Sequence, residues 1–211
     1  DRFELEFAGL GIRLERWDRG AMEAQVPRLR AEWVEAVFEP DSRDIDVAAV
    51  HAHFLARGRA LGVELRCRSG LANAQRQGGK WCLTLADGSE VTAPVLVNAA
   101  GAWADDVAHL AGVRKLAIQP YRRTMLQLRT DPAPAADMPV VLDIGGDFYF
   151  KPESGRIWLS PHDETPSPPC DAVPEEIDLA VAIDRLRHTV DWQVLQLEHK
   201  WAGLRSFAPD R

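Results

Sequence analysis

Cysteine is scarce: Cys67, Cys82 and Cys170 are the only three in 211 residues, and no two stand in a Cys-x-x-Cys spacing. So few thiols, odd in number and widely spread, indicate neither a disulfide framework nor a zinc knuckle and fit a reducing cytosol. Long apolar runs are missing as well. Nothing approaches the roughly 20 apolar residues that a membrane-spanning helix needs, and the opening Asp1-Arg2-Phe3-Glu4-Leu5-Glu6 holds no apolar stretch of the kind a secretory signal carries. Nor is there a basic excess. The 25 Lys and Arg stand against 32 Asp and Glu, a net charge of -7, which argues against a phosphate-contacting face and a polybasic lipid-binding stretch. The expected location is the cytoplasm, with peripheral attachment to the inner membrane as the alternative.

What is present suffices for a core. At this length, 46% hydrophobic residues allow a folded chain to bury about 70% of its extended surface. Residues 18–26 have helical character and are stopped by Pro27, which has no backbone N–H to donate. Residues 32–38 read as a strand, and Pro40-Asp41-Ser42 as a turn. The clearest helix spans about 46–61, with Val47, Val50, Phe54 and Leu61 on one face, Asp44 or Asp46 at its start and Gly62 after its end. Short strands follow. Val63–Cys67 alternates, Gly78-Gly79 marks a hairpin, Trp81, Leu83 and Leu85 alternate, Asp87-Gly88 marks a second turn, and Val91 opens the return strand. Val95-Leu96-Val97 is continuously apolar, the pattern of a strand buried on both faces. A short helix over 104–111 ends at Gly112. In the second half, 116–129, 139–151 and 156–160 read as strands, and 166–174 as a loop. A helix over 175–189 turns Ile177, Val181 and Leu186 inward, and a last strand lies near 194–201. The fold class is mixed α/β, with a largely antiparallel second half.

Two suggestive patterns fail on spacing. Gly9-Leu10-Gly11 follows a strand-like Phe3–Phe7, but a dinucleotide-binding loop needs a third glycine three residues on, and Leu14 stands there. His51 and His53 lie two apart on a predicted helix and point to different faces, so they cannot share a metal. No metal site is expected. No Gly-x-Ser-x-Gly elbow occurs, and no cysteine has an evident neighbouring base, so nucleophilic hydrolysis lacks support.

Two other stretches carry more. In Val95–Trp103 an apolar run enters Asn98-Ala99-Ala100-Gly101-Ala102-Trp103, where small residues let a ligand approach the backbone; a plain strand-to-helix turn is the competing reading. In Trp201-Ala202-Gly203-Leu204-Arg205-Ser206-Phe207, an arginine framed by apolar residues and a glycine is not expected to be fully solvated, and a buried guanidinium must be paired. Its partner is either a protein carboxylate or an acidic ligand, and residue chemistry alone leaves that open.

Val97–Asp105 with Leu110-Ala111-Gly112 resembles the signature of the D-amino-acid-oxidase type of FAD-dependent oxidoreductases. Trp201–Arg205 with Pro209-Asp210 resembles that family's late substrate-site segment. Between them Gln119–Arg123 and Phe148–Gly155 stand in the expected order. With Leu159-Ser160-Pro161 and Pro174–Asp178 the set is most similar to bacterial D-arginine dehydrogenases. Ser206 stands where many relatives have proline. Both ends of the chain read as cuts, because the family's glycine-loop βαβ unit would precede Asp1 and its glycine-rich flavin-contacting segment would follow Arg211.

The resemblance implies that 1–43 and 115–205 build a substrate domain, a mixed and largely antiparallel sheet with flanking helices. Residues 44–114 would form part of a Rossmann-like FAD domain, with 206–211 returning toward it. It implies FAD as cofactor, contacted by Ala100, Gly101, Ala102 and Trp103. It also implies a substrate α-carboxylate gripped by Arg123 and Arg205, with a hydrogen bond from Tyr149; Arg122 is the alternative to Arg123. The implied reaction is hydride transfer from the substrate Cα to the flavin, giving an imino acid that hydrolyses to a 2-oxo acid and ammonia. No protein base is required if the amine reacts neutral, and no catalytic residue is assigned. Quinone or oxygen would serve as electron acceptor. A sarcosine- or glycine-oxidase type of enzyme is the alternative, as is a non-catalytic binding domain if no nucleotide loop precedes the chain.

Overall fold

In this computed structural model, which describes residues 5, 7 and 9–210, two long strands form the spine of the larger unit. Strands β1 (Glu15–Asp18) and β2 (Glu35–Phe38) pair as a small antiparallel ribbon, with helix α1 (Arg19–Gln25) between them. Asp18 caps that helix by accepting from the Ala21 N–H at 2.9 Å. Helix α2 is Val47–Ala60. Strands β3 (Leu71–Gln77), β4 (Lys80–Leu85) and β5 (Glu90–Ala93) make a three-stranded meander. A 3-10 turn at Gly101–Trp103 leads into α3 (Ala104–Leu110). The remainder is one six-stranded antiparallel sheet with one helix: β6 (Gln119–Asp131), β7 (Val141–Leu142), β8 (Tyr149–Glu153), β9 (Arg156–Ser160), β10 (Thr165–Pro166), α4 (Glu176–Thr189) and β11 (Gln193–Phe207). In it β11 runs along one edge of β6, while β9 and β10 share the other, followed by β8 and β7.

The chain divides into two units, Asp1–Pro40 with Ile118–Arg211, and Asp41–Ala117. In the first, alternate residues of β6, β8 and β9 form the core. Leu126, Leu128, Phe150, Ile157 and Leu159 are fully buried and pack with Leu179, Ala182 and Leu186 of α4 and with Met22, Val26 and Leu29. Burying each such side chain stabilises the fold by about 1.5–3 kcal/mol before entropy is counted. The opposite face of the same strands is left to other uses.

The second unit has strong local signals and little burial. Gly78 and Gly79, both at positive φ, make the two-residue turn between Gln77 and Lys80. Asp46 caps α2 by accepting from the Ala49 N–H at 2.8 Å. That helix buries none of its residues: Val47, Val50, Phe54 and Leu61 do share a face, and all four are exposed.

Several expectations need correction. Val95–Val97 is not a strand, and Val95 and Val97 are 68% and 79% exposed. Its apolar run asks for ladder partners on both sides, and among the described residues no strand pairs with it. Val63–Cys67 likewise forms no strand, with Val63 and Leu65 exposed. Residues 139–151 are two strands broken by the turn at Asp143–Gly146, and the final strand extends from 193 to 207 rather than stopping near 201. On α4, Ile177 points outward at 64% exposure; the helix packs through Leu179, Ala182 and Leu186, the stripe that meets the sheet. Gly9–Gly11 is a plain turn, while the strand expected over Phe3–Phe7 falls mostly outside the described residues.

Candidate active site

Alternation along β6 sends adjacent residues to opposite sides of the sheet, and this separates the two neighbouring arginines. Arg122 turns toward α4, where it meets Glu175, Asp178 at 2.8 Å and Asp163 at 3.7 Å. Its hydrogen bond to Glu175 raises its pKa above the ordinary arginine value, the charges of Asp178, Glu175 and Asp163 adding to this while burial opposes it. Arg122 is therefore a structural cation, and neither arginine of the pair faces solvent.

Arg123 lies on the other face, only 6% exposed. The register places Gly203 of β11 directly opposite Arg123, and Arg205 opposite Tyr121. Arg205 is thus a diagonal, same-face neighbour of Arg123, a relation that spans roughly 7–8 Å in a sheet. Glycine at 203 matters: a Cβ built there would meet nothing within 4 Å, so the space over β11 beside Arg123 is open.

The two guanidiniums differ in their partners. Arg123 donates through Nε to the Asp163 carbonyl at 2.9 Å and through Nη2 to Glu164 at 3.2 Å. Its Nη1 donates to nothing among the described residues and is not sealed from solvent. Arg205 is exposed, sits 5.0 Å from the centre of the Phe207 ring, and among the described residues has no carboxylate within ion-pair distance. Burial, with the like charge of Arg205 as the next cause, holds the Arg123 pKa below its ordinary value, while Tyr149, Glu164 and Asp163 act in the opposite sense. That coupling brings all three expected substrate residues, Arg123, Tyr149 and Arg205, into one electrostatic neighbourhood. Tyr149 is half-buried, donates its hydroxyl to the Met125 sulfur at 3.1 Å, and meets the His162 ring edge-on at 5.6 Å.

Sequence reasoning missed the support. Asp163 accepts from the Thr124 N–H at 2.7 Å and its hydroxyl at 3.0 Å, fastening the β9–β10 loop to β6. The pairs Thr165–Arg122 and Pro166–Tyr121, continued one residue back, set Glu164 across from Arg123. No local pattern marks these acids; the sequence signal is two consecutive carboxylates, Asp163-Glu164, in the Pro161–Pro166 connection after a strand.

In the second unit, Asn98 closes the turn expected to meet a cofactor. Its side chain donates to the Ala104 carbonyl at 2.8 Å and accepts from the Ala100 N–H at 3.2 Å. Gly101 has φ +55, and a Cβ there would again meet nothing within 4 Å. Ala102 is buried, and Trp103 is 46% exposed. The helical turn starting here leaves its first backbone N–H groups without intrahelical partners. A small-residue, open-backbone turn of this kind fits a large polar cofactor that packs against main chain.

The full chain, residues 1–211, matches the family model described as DAO, FAD dependent oxidoreductase. A mouse protein, "FAD-dependent oxidoreductase domain-containing protein 1", is 27% identical over 132 residues, covering 54% of this chain and 26% of that protein. Among solved structures, glycine oxidase from Geobacillus kaustophilus superposes with a TM-score of 0.83 at 20% identity, over 99% of this chain and 55% of that one. L-proline dehydrogenase from P. horikoshii superposes with a TM-score of 0.79 at 19% identity, over 99% and 56%. At these identities the superpositions establish the fold, and the chain spans just over half the length of either structure. With the family model matching end to end and the fold shared, this chain belongs to the DAO family of FAD-dependent oxidoreductases.

Proposed function

We propose that the whole protein oxidises an amino acid whose α-carboxylate is held between Arg123 and Arg205, a D-amino acid in the reading we favour. One observation carries this: two guanidiniums share a face over a glycine, and among the described residues one has no carboxylate at ion-pair distance and the other has a donor to spare. Like charges so placed favour an anion between them. A planar guanidinium fork matches a carboxylate, and each charge-assisted hydrogen bond contributes about 1.5–3 kcal/mol. Tyr149 adds a hydroxyl to the same neighbourhood. Residues 44–114, which lie within the Asp41–Ala117 unit, are assigned to the FAD domain, with Ala100, Gly101, Ala102 and Trp103 holding FAD largely through their backbone. When bound, FAD supplies the two-electron acceptor for the carbon bearing the amine. This chain's own part is to bind, orient and shield the substrate. Quinone or oxygen would then receive the electrons.

Within this class the ordered motifs favour D-arginine dehydrogenases, whereas the structural similarity to two bacterial glycine oxidases favours a glycine or sarcosine type. The whole protein, assayed for reduction of an artificial acceptor with D-arginine, other D-amino acids, glycine and sarcosine, decides between them. The favoured reading expects D-amino acids to give the highest kcat/KM; activity with sarcosine or glycine alone would overturn it. A non-catalytic binding domain would bind carboxylates and reduce no acceptor with any of these.

A further inference from the structure

Glu164 stands across from Arg123, in the same row of the sheet as the open space over Gly203. Its carboxylate contacts Arg123 Nη2 at 3.2 Å, and its side chain keeps 36% exposure. The neighbourhood therefore holds two cations and one partly exposed anion. Two guanidiniums alone would take any carboxylate, the plain anion of a hydroxy or oxo acid included. In an α-amino acid the ammonium is one carbon from the carboxylate. A carboxylate drawn to Arg123 thus brings the ammonium within reach of a group in the same row.

Resting on the carboxylate-clamp reading, we propose that Glu164 is the specificity residue that makes this site prefer zwitterions over plain carboxylates. It repels a bare anion and compensates an adjacent ammonium, so it discriminates in both directions. Substrate amino acids would be admitted in preference to their own 2-oxo acid products, which limits product inhibition. The proton that the ammonium sheds before oxidation is a separate event.

A matched ligand pair tests this. The compound 2-aminoisobutyrate is a zwitterion at neutral pH with no Cα–H to oxidise, and 2-hydroxyisobutyrate replaces its ammonium with a hydroxyl. Calorimetric titration of the whole protein at low salt reads both affinities without turnover. In Glu164→Gln, the hydroxy acid should bind at least about five-fold tighter and the amino acid at least about five-fold weaker. Glu164→Asp, which keeps the charge, should retain the wild-type order of preference. An unchanged affinity ratio in Glu164→Gln, or a lost preference in Glu164→Asp, would overturn the proposal. If wild type binds neither ligand, the clamp itself fails and this proposal with it, a result distinct from both of those.

Discussion

Arg122 and Arg123 are identical in type and adjacent in sequence, yet the pleat of one strand gives them separate duties. Arg122 serves three carboxylates beneath the sheet, and its removal leaves two of them, Asp163 and Asp178, without their cation in a largely buried place, while Glu175 is exposed. Arg122→Met should therefore lower stability by about 3 kcal/mol, read as a reduced midpoint in urea. Among the described residues, Arg205 serves no carboxylate of its own. Arg205→Met should leave the melting temperature nearly unchanged while lowering kcat/KM for the amino-acid substrate about thirty-fold, the equivalent of roughly 2 kcal/mol of lost charge-assisted bonding. Gly203→Val makes the complementary test, because its Cβ enters open space beside Arg123. A normally folded variant with carboxylate affinity reduced at least about ten-fold is expected. The sequence showed which residue types were available for this site. It did not show facing, since a one-residue shift in β6 would exchange the roles of the two arginines, nor the Asp163–Glu164 support, which reaches β6 from 39 to 41 residues away.

Turns and caps were the most legible elements, because their chemistry is local. The Gly78-Gly79 hairpin, the Asp46 cap and the Pro27 stop all follow from conformational preferences of one or two residues. Periodicity was less reliable where partners were remote. On α4 the inward stripe is Leu179, Ala182 and Leu186, so hydrophobicity at Ile177 misdirects the reading of that helix. Leu186→Ala should cost about 2–5 kcal/mol in chemical unfolding, and Ile177→Ala less than about 1 kcal/mol. Similar losses for both would mean that α4 seats on the sheet through a different face.

On the scale of the whole molecule, apolar surface is unevenly distributed. Val47, Val50, Phe54, Leu61, Val63, Leu65, Val95 and Val97 are all exposed, and all belong to the Asp41–Ala117 unit. Over Val95–Val97 the sequence predicts a strand buried on both faces, and the structure leaves that run exposed. The chain of 211 residues by itself should bind a hydrophobic dye and hold FAD weakly; a yellow preparation with stoichiometric flavin would contradict this. Among the described residues no helix is long and apolar enough to cross a membrane. The most direct test of the account is a crystal structure of the whole protein with a short carboxylate ligand. The account predicts carboxylate oxygens within about 3 Å of both Arg123 Nη1 and the Arg205 guanidinium, the distance of a charge-assisted hydrogen bond, in the space over Gly203. A carboxylate bound elsewhere, with Arg205 turned to solvent, would contradict it.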